Sequence, residues 1–482
     1  MQPFSLLKPH AYINGEYVNA NDHKTFEVIN PATGDVICHL PDLNAQDAHY
    51  AIECAANAQK SWQKTAPKVR AAILRRWYEL VQEHQEQLAQ ILSLEQGKPI
   101  HESRSEIQYG ASFIEWFAEE AKRIYGDVLP ANHADQRLFV IKQAVGVVAA
   151  ITPWNFPHAM ITRKAAPALA AGCAMVLKPA HETPLSALAL AELAHQAGVP
   201  AGILNVITTT QAVEVGQALT DSPIVRKLTF TGSTRVGKQL MAQSANTVKK
   251  LSLELGGNAP SIVFDDADLN KAIDGILASK FRNSGQTCVC TNRIYVQSGI
   301  YERFVEQFCA EVARLKVGSA NEDGVNMGPL ISESAVQKIQ QHIEDATAKG
   351  ARLMVGGQRH ARGGTFFQPT VLCDVTHHML VAKEETFAPL APLFKFETEE
   401  QVVEMANDTE FGLASYLYTQ DIARIWRVSD ALEYGMVGIN EGLISNEVAP
   451  FGGIKESGLG REGSRYGIEE FLEMKYLCLK AS

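Results

Sequence analysis

The feature that most constrains the fold is a continuous apolar run at residues 146–152, in which most residues are β-branched. Such a run is typical of a strand that is covered on both faces, as in a parallel sheet. Strand and helix patterns then alternate: we predict strands at 174–177, 204–207, 227–230 and 251–253, and helices at 184–196, 212–219 and 234–243. The alternation predicts an open parallel α/β sheet, in which ligands bind beyond the C-terminal ends of the strands.

A second β-α series follows between residues 261 and 458. We predict helices at 268–283, 301–315 and 333–349, and strands at 293–297, 351–355, 390–396 and 413–418. Ahead of both series, we predict short strands within 11–40, a helix capped by Asn44 and Asp47, and one long helix from Pro67 to Gly97. Strands at 137–143 and 469–479 complete the pattern. The chain is therefore predicted to be an α/β protein of more than one domain.

The composition argues against several classes of protein. The 482 residues carry a net charge of −10 and no basic block, which argues against nucleic-acid binding. The eight cysteines form no C-x-x-C pair and the fourteen histidines no H-x-x-x-H spacing, so we expect neither a disulfide scaffold nor a metal site. The first ten residues lack the apolar core of a signal peptide, and apolar runs such as 165–171 are too short to span a membrane. We expect a cytoplasmic protein.

Residues 281–290 read F-R-N-S-G-Q-T-C-V-C, a run of small and polar residues that suits a tight, partly open loop. Gly285 permits the turn, and the polar residues before Cys288 provide hydrogen bonds beside its sulfur. A thiolate in such a place is a strong nucleophile, so Cys288 is a candidate for covalent catalysis. The alternative is a buried structural thiol, which is the commoner fate of a free cysteine.

Two further residues are suited to act on a carbonyl group. Glu254 stands between two leucines at the end of a predicted strand, where burial raises the pKa of a carboxyl group toward a value useful for a base. The alternative is a glutamate that caps the next loop. Asn155, in P-W-N-F-P, follows the first apolar strand, and its amide can donate to a developing oxyanion. Its alternative is a simple turn residue.

Two stretches are candidates for dinucleotide binding. Residues 230–237, F-T-G-S-T-R-V-G, join a strand to a helix, and Gly232 lets backbone N–H groups approach an anion. They depart from G-x-G-x-x-G, and glycines before helices are usually only turns. Lys178-Pro179-Ala180-His181 ends the strand at 174–177, where dinucleotide folds bind the adenosine ribose. The alternative is a solvated lysine and a loop histidine.

In chain order, P-W-N-F-P, L-K-P-A, F-T-G-S-T, L-E-L-G-G, G-Q-T-C, E-E-T-F-A-P and P-F-G-G-I-K resemble the motifs of the aldehyde dehydrogenase superfamily. The resemblance covers nearly the whole chain. It implies a Rossmann-type cofactor domain at 1–121 and 144–255, an α/β catalytic domain at 256–469, and a small β oligomerisation element at 122–143 and 470–482. It also implies a homotetramer built from dimers, in which strands at 137–143 and 475–479 extend a partner's sheet.

The resemblance implies a role for each candidate residue. Cys288 attacks the aldehyde, Asn155 and the Cys288 backbone N–H hold the oxyanion, and Glu254 activates the water that hydrolyses the thioester. Many NAD-using relatives have glutamate where His181 stands, so NADP is expected to be accepted and preferred over NAD. The implied cofactor-binding residues are Trp154, Asn155, Lys178, Pro179, Ala180, His181, Gly232, Ser233, Leu255, Glu385 and Phe387.

Within the superfamily, I-T-R-K, K-F-R-N, C-V-C and the run from G-I-K-E-S-G to R-Y-G-I-E resemble the succinate-semialdehyde dehydrogenase branch. Arg163, Arg282 and Ser445 match residues that bind the substrate carboxylate there, and guanidinium groups suit carboxylates. The expected reaction is NAD(P)-dependent oxidation of succinate semialdehyde to succinate, a step of 4-aminobutyrate degradation. The alternatives are surface salt bridges for both arginines, glutarate semialdehyde or a broader aldehyde range as substrate, a CoA-acylating enzyme, and a nucleotide-binding protein without catalysis.

Cys290 lies two residues after Cys288. On an extended chain their Cα atoms are about 7 Å apart, at the upper limit for a disulfide, so bond formation requires the loop to bend. We consider two interpretations equally: a reversible disulfide partner that silences Cys288, and a small residue packed behind the nucleophile.

Overall fold

The computed structural model describes residues 5–480 of the chain. The first four residues, which belong to the predicted cofactor domain and to the stretch in which no signal peptide is expected, lie outside the described residues, as do the last two of the predicted oligomerisation element. The helices are α1 (Ala45–Trp62), α2 (Pro67–Glu83), α3 (Gln85–Gln96), α4 (Ile100–Glu120), α5 (Ala159–Ala171), α6 (Leu185–Gln196), α7 (Ala212–Asp221), α8 (Thr234–Ser244), α9 (Leu269–Phe281), α10 (Tyr301–Val312), α11 (Glu333–Ala348), α12 (Leu380–Lys383), α13 (Glu399–Asn407), α14 (Ile422–Ala431) and α15 (Ser464–Gly467).

Twenty strands accompany these helices within residues 5–480. They are β1 (Ala11–Ile13), β2 (Glu16–Val18), β3 (Thr25–Ile29), β4 (Val36–Pro41), β5 (Asp127–Leu129), β6 (Gln136–Ala144), β7 (Val147–Ile151), β8 (Ala174–Lys178), β9 (Leu204–Val206), β10 (Val225–Thr231), β11 (Lys250–Glu254), β12 (Ala259–Val263), β13 (Thr291–Gln297), β14 (Arg352–Val355), β15 (Thr370–Cys373), β16 (Leu390–Phe396), β17 (Ala414–Tyr418), β18 (Met436–Ile439), β19 (Gly458–Leu459) and β20 (Leu472–Lys480). The strand–helix alternation predicted from the sequence is confirmed.

An eight-stranded sheet has the order β19-β11-β10-β7-β8-β9-β1-β2. Its five middle strands, from β11 to β9, are parallel, as the apolar run at β7 predicts. The chain moves from β7 to β8 and β9 on one side and then returns to β10 and β11 on the other. Such a switch opens a crevice at the C-terminal ends of the strands, here those of β7 and β10.

A seven-stranded sheet has the order β14-β15-β16-β13-β12-β17-β18, with all but β14 parallel. Its chain order also reverses, at β12. The loop that carries Cys288 connects α9 to β13, a central strand. The protein therefore contains two mainly parallel sheets, and the Cys288 loop belongs to the second of them. This agrees with the predicted α/β class.

A three-stranded antiparallel sheet, β20-β6-β5, lies apart from both. β20 pairs with β6 along its whole length, from Leu472 opposite Ala144 to Lys480 opposite Gln136. Apolar side chains on this sheet are exposed, among them Met474 and Tyr476. Exposed apolar strands are typical of a surface that is covered by another chain.

Two elements differ from the expectation. The long helix expected from Pro67 to Gly97 is broken into α2 and α3 at His84, whose φ of −106° and ψ of 15° are not helical. Helix α5 carried no periodic signal because all of its residues are buried, so it has no polar face. None of the helices within residues 5–480 is long and apolar enough to cross a lipid bilayer.

Candidate active site

Cys288 lies in a tight loop between α9 and β13. After α9 ends, Asn283, Ser284 and Gly285 adopt left-handed backbone conformations, with φ of 50°, 57° and 75°. Space also requires glycine at 285, because a Cβ there would lie 2.3 Å from the carbonyl oxygen of Ala388. The close approach of the two backbones fixes the position of the loop that presents the sulfur.

The run from Cys288 to Cys290 is bent, as the predicted tight loop requires. The Cys290 N–H donates to the Thr287 carbonyl at 3.0 Å, which closes a turn around Cys288. Both sulfurs are free thiols. Cys290 is fully buried, and its Sγ lies 3.3 Å from Lys280 Nζ, whereas Cys288 lines a cavity. The bend removes the distance objection to a disulfide, and the buried packing of Cys290 favours the other interpretation; its redox role stays a prediction.

The Cys288 thiol has an unusual protonation equilibrium. Burial raises its pKa to about 12; the nearby Glu385 carboxylate raises it further and the Arg163 guanidinium opposes the rise. Burial also raises the pKa of Glu385, to about 7. In the free protein Cys288 is therefore a neutral thiol at pH 7, and its proton must leave as the sulfur attacks.

A cavity of about 240 Å³ opens in front of the Cys288 sulfur. Eight of the predicted site residues line it, from both sheets. Phe387, whose φ is 56°, packs edge-on against Trp154 with ring centroids 5.6 Å apart. The lining residues are Pro153, Trp154, Asn155, Thr231, Gly232, Ser233, Leu255, Gly256, Cys288, Glu385 and Phe387.

Asn155 follows β7 and lies against the nucleophile loop. Its Nδ2 donates to the Gln286 carbonyl at 3.0 Å, two residues before Cys288. Its own carbonyl oxygen accepts from Lys98 Nζ at 2.8 Å and from Asn283 Nδ2 at 2.9 Å. An amide nitrogen carries two hydrogens, and the contact with Gln286 uses one of them. The geometry suits donation of the other to an oxyanion.

Glu254 ends β11, where it pairs with Gly458 of β19. The side chain is buried, and neither carboxylate oxygen has a hydrogen-bond partner among residues 5–480. Burial raises the pKa of Glu254 well above its ordinary value, and the charge of Glu462 raises it further. The burial expected from the Leu-Glu-Leu pattern is thus found, and an unpaired, neutral carboxyl group is suited to gain and lose a proton.

The Lys178–His181 stretch stands at the C-terminal end of β8, outside the wall of the Cys288 cavity. Burial lowers the pKa of Lys178, whose Nζ donates to the Pro179 carbonyl at 3.2 Å. The His181 side chain is half exposed and lies 3.3 Å from Glu182 Oε2. The residues from Lys178 to His181 include no acid, but the next residue, Glu182, places a carboxyl group beside His181.

Arg163, on α5, is buried rather than at the surface. Its Nε lies 2.8 Å from Glu462 Oε2, its Nη1 donates to the Tyr109 hydroxyl at 3.3 Å, and its guanidinium lies 4.0 Å from the centroid of the Phe451 ring. Its Nη2 has no partner among residues 5–480. A surface salt bridge is thus excluded for Arg163, but part of its charge is matched by Glu462.

Arg282 and Ser445 line a second, much smaller cavity of about 10 Å³. The Arg282 guanidinium lies 5.0 Å from the centroid of the Phe156 ring, and its buried Nε has no partner among the described residues. The charges of Arg163 and Arg282 both lower the pKa of the Cys288 thiol against the larger effect of burial. Two guanidinium groups with unused donors therefore act electrostatically on the Cys288 thiol.

The aldehyde dehydrogenase family model matches residues 17–477. The chain belongs to the aldehyde dehydrogenase family. A succinate-semialdehyde dehydrogenase [NADP(+)] of Escherichia coli K12 is 61% identical over 475 residues, 98% of each chain. A glutarate-semialdehyde dehydrogenase of Pseudomonas aeruginosa is 60% identical over 474 residues, 98% of each chain. The crystal structure described as an E. coli NADP-dependent enzyme superposes with a TM-score of 0.99, at 60% identity and 100% coverage of both chains.

Sequence reasoning missed several residues of this aldehyde dehydrogenase site. Tyr109 packs edge-on against Phe113 on α4, and its hydroxyl meets Arg163. Glu462 pairs with both Arg163 and Lys164, and Lys164 Nζ also donates to Thr231 Oγ1 at 2.7 Å. These residues carry no local signal, because their partners lie up to about 300 residues away in the chain. Only the burial of charge reveals them.

Gly285→Ala is expected to lower kcat/KM by at least about 100-fold. The added Cβ can be accommodated only if the loop and the Ala388 carbonyl move apart, and this movement displaces the Cys288 sulfur. Gly363→Ala is the matched control: its φ of 76° is nearly the same, but no described atom lies within 4 Å of an added Cβ. Both variants incur about 1–2 kcal/mol of backbone strain. Equal activities in steady-state assays would contradict the assignment of the loop.

Alkylation of Cys288 by iodoacetamide is expected to accelerate about tenfold per pH unit between pH 7 and pH 10, because the thiolate fraction grows in that proportion below a pKa of about 12. Glu385→Gln is expected to react faster at each pH, since the Glu385 charge raises that pKa. Peptide mass spectrometry of the free protein, with Cys288→Ala as background, measures the rates. A plateau below pH 9 would show a much lower thiol pKa.

Proposed function

We propose that this aldehyde dehydrogenase oxidises succinate semialdehyde to succinate with NADP, and less readily with NAD. The observation that carries the substrate is the pair of unused guanidinium donors, Arg163 Nη2 and Arg282 Nε, near the Cys288 sulfur. A carboxylate separated from the aldehyde carbon by two methylenes suits such donors. The name of the E. coli relative, a succinate-semialdehyde dehydrogenase, supports the same choice, whereas the name of the P. aeruginosa relative supports glutarate semialdehyde as the second candidate.

The residues that face the cavity fit a nicotinamide dinucleotide. The cavity extends to Gly232 and Ser233, at the N-terminus of α8, where the helix dipole favours an anion such as a pyrophosphate. Glycine is needed at 232, because a Cβ there would lie 2.4 Å from the Phe230 ring. The Gly232 N–H itself donates to the Glu254 carbonyl at 3.0 Å, so the following N–H groups are left for phosphate. Glu385 and Phe387 bind the nicotinamide half.

In the proposed mechanism, the Cys288 thiol releases its proton to solvent as the sulfur adds to the aldehyde carbon, and the carbonyl oxygen becomes an oxyanion. The Asn155 amide and the Cys288 backbone N–H donate to it. The bound dinucleotide supplies the acceptor for the hydride that leaves this carbon, and a thioester remains on Cys288. Glu254, once its own proton has passed to solvent, takes a proton from water; the resulting hydroxide adds to the thioester, the Cys288 sulfur leaves as a thiolate and the acid is freed. A water-activating carboxyl group at this place favours hydrolysis over transfer to CoA.

Cofactor choice rests on the adenosine end of the site. His181 carries no negative charge to repel a 2′-phosphate, and Lys178 is a buried cation beside it. We expect kcat/KM with NADP to exceed that with NAD; a tenfold preference for NAD, on the order of 1.4 kcal/mol, would overturn the assignment.

The remaining assignments concern organisation. We propose that residues 1–121 and 144–255 bind the cofactor, that 256–469 carry the nucleophile, and that 122–143 with 470–482 join subunits. The exposed apolar side chains of β20, with Met474 at 76% and Tyr476 at 59% exposure, support a homotetramer formed through that element. We propose the cytoplasm as its location.

The substrate is tested with three aldehydes: succinate semialdehyde, glutarate semialdehyde, and butanal as the uncharged four-carbon match. Arg282→Met is expected to raise KM for both semialdehydes by about 10- to 100-fold, the worth of a hydrogen bond to a charged group, and to leave butanal within threefold. An equal rise in KM for all three aldehydes would contradict the proposal that Arg282 binds the substrate carboxylate. A higher kcat/KM for glutarate semialdehyde than for succinate semialdehyde would favour glutarate semialdehyde as the substrate. The two differ by one methylene, for which a pocket discriminates by about 1–3 kcal/mol.

Catalysis by Cys288 and Glu254 is tested by rapid mixing. Cys288→Ala is expected to abolish turnover and to retain cofactor binding, whereas Glu254→Gln is expected to release one equivalent of reduced cofactor per site and then stall as the thioester. Turnover by Cys288→Ala would contradict covalent catalysis by this sulfur, whereas absence of turnover in the unaltered protein would favour the nucleotide-binding alternative. Absence of the stoichiometric burst in Glu254→Gln would contradict the role of that carboxyl group.

A further inference from the structure

A buried lysine that the mechanism does not use lies beneath the oxyanion donor. Lys98 follows Gly97 in the link between α3 and α4, and its ammonium group is fully buried. Its Nζ donates to Glu106 Oε2 at 2.5 Å and to the Asn155 carbonyl at 2.8 Å. The same group lies 3.9 Å from the centroid of the Phe156 ring, within reach of a cation–π contact.

The second oxygen of the Glu106 carboxylate holds the other end of the same segment. Glu106 Oε1 accepts from the His158 N–H at 2.9 Å and from the Ala159 N–H at 3.2 Å. These are N–H groups at the start of α5, which have no partner within the helix itself. The Lys98–Glu106 pair therefore grips the chain from Asn155 to Ala159 at both of its ends.

This arrangement is costly as a source of stability alone. Burial lowers the pKa of Lys98, and the Glu106 charge opposes that shift. Two buried charges lose their hydration, and a hydrophobic pair of the same volume is often equally stable. What such a pair provides is geometry: an ammonium group that meets a carboxylate and a carbonyl fixes the distance between α4 and the Asn155 backbone.

We propose that Lys98 is a positioning residue, which sets the Asn155 amide for the oxyanion by holding the Asn155 carbonyl. The inference rests on the proposed function, in which the Asn155 side chain donates to that oxyanion. Asn283 Nδ2 also donates to the Asn155 carbonyl, so loss of Lys98 leaves this carbonyl with one donor rather than two. The amide then turns away from its productive direction for part of the time.

The test is a double-mutant cycle of Lys98→Met and Asn155→Ala. We expect Asn155→Ala to lower kcat by about 100- to 1,000-fold, as for other oxyanion donors, and Lys98→Met by about 10- to 100-fold with KM within threefold. Because Lys98 acts through Asn155, the double variant is expected to lie within threefold of Asn155→Ala. Multiplying effects would mean that Lys98 acts elsewhere, and would overturn the proposal.

A second readout needs no cofactor. The sulfur of Cys288 attacks p-nitrophenyl acetate, a sulfur–acyl bond forms, p-nitrophenolate leaves, and water then releases acetate from the enzyme. This reaction passes through an oxyanion at the same place. We expect the same non-additive pattern in the rate of p-nitrophenolate release, and an unchanged Kd for NADP measured by fluorescence. A loss of NADP affinity in Lys98→Met would indicate a general collapse and contradict the proposal.

Lys227→Met is the matched control. Lys227 Nζ is equally buried, donates to Ser252 Oγ at 2.5 Å, lies 3.6 Å from Glu470 Oε2 and faces the Phe471 ring at 5.2 Å. Both lysine variants are expected to lower Tm, but only Lys98→Met is expected to lower kcat. If Lys98→Met does not fold, Glu106→Gln, which weakens the same grip, takes its place in the cycle with the same expected pattern.

The outcomes distinguish the proposed oxyanion role of Asn155 from the proposed positioning role of Lys98. Full activity of Asn155→Ala would end the proposed oxyanion role, and with it the role of Lys98. A large loss in Asn155→Ala together with full activity of Lys98→Met would leave the proposed function intact and end the positioning proposal alone. A loss of kcat in Lys227→Met equal to that in Lys98→Met would assign both lysines to stability.

Discussion

Desolvation of the reacting groups is the constraint on which the rest of the site depends. Burial is the first cause of the raised pKa of Cys288, Glu254 and Glu385, one thiol and two carboxyl groups. All three are held back from ionisation in the free protein, since a charge in a low-dielectric pocket is expensive. The site can therefore ionise its sulfur and its carboxyl group only when another group takes up or balances the charge. Donors aimed at the substrate oxygen are the partners that such a site requires.

The buried cations answer the same constraint. Arg163 and Lys164 flank Glu462, Lys98 pairs with Glu106, and each of these groups is almost inaccessible to water. The charges of Arg163 and Lys164 lower the pKa of Glu254, and the charge of Glu462 raises it. The neighbouring charges therefore act on this carboxyl group in opposite directions. Pairs of this kind contribute little net stability but hold their elements at fixed separations. The separations that they fix are those between α4, α5 and the strand ends that carry Asn155 and Glu254.

Local patterns in the sequence were enough to predict the framework. The apolar run at β7, the alternation after it and the glycines at strand–helix junctions are each set by a few neighbouring residues, and the parallel sheet follows from them. Failures arose where tertiary packing overrides the local pattern. Helix α5 has no polar face, His84 interrupts a long helical pattern, and the turn at Cys288 is closed by Thr287 and limited by Ala388 from another part of the chain. Residues that act through distant partners, such as Lys98 and Glu462, carry no pattern to detect.

The two arginines near the nucleophile are not equivalent, and this bears on selectivity. Arg163 is already paired with Glu462. The Arg282 guanidinium packs against the Phe156 ring, and its Nε has no hydrogen-bond partner among the described residues. In the proposed function, the net attraction for an anionic tail therefore comes mainly from Arg282, and Arg163 contributes a donor whose charge is partly matched by Glu462. Such a site discriminates strongly between charged and uncharged aldehydes, because an unpaired buried donor costs about 1–3 kcal/mol. It discriminates tail length less sharply than charge, since a flexible anion can meet Arg282 from more than one chain length.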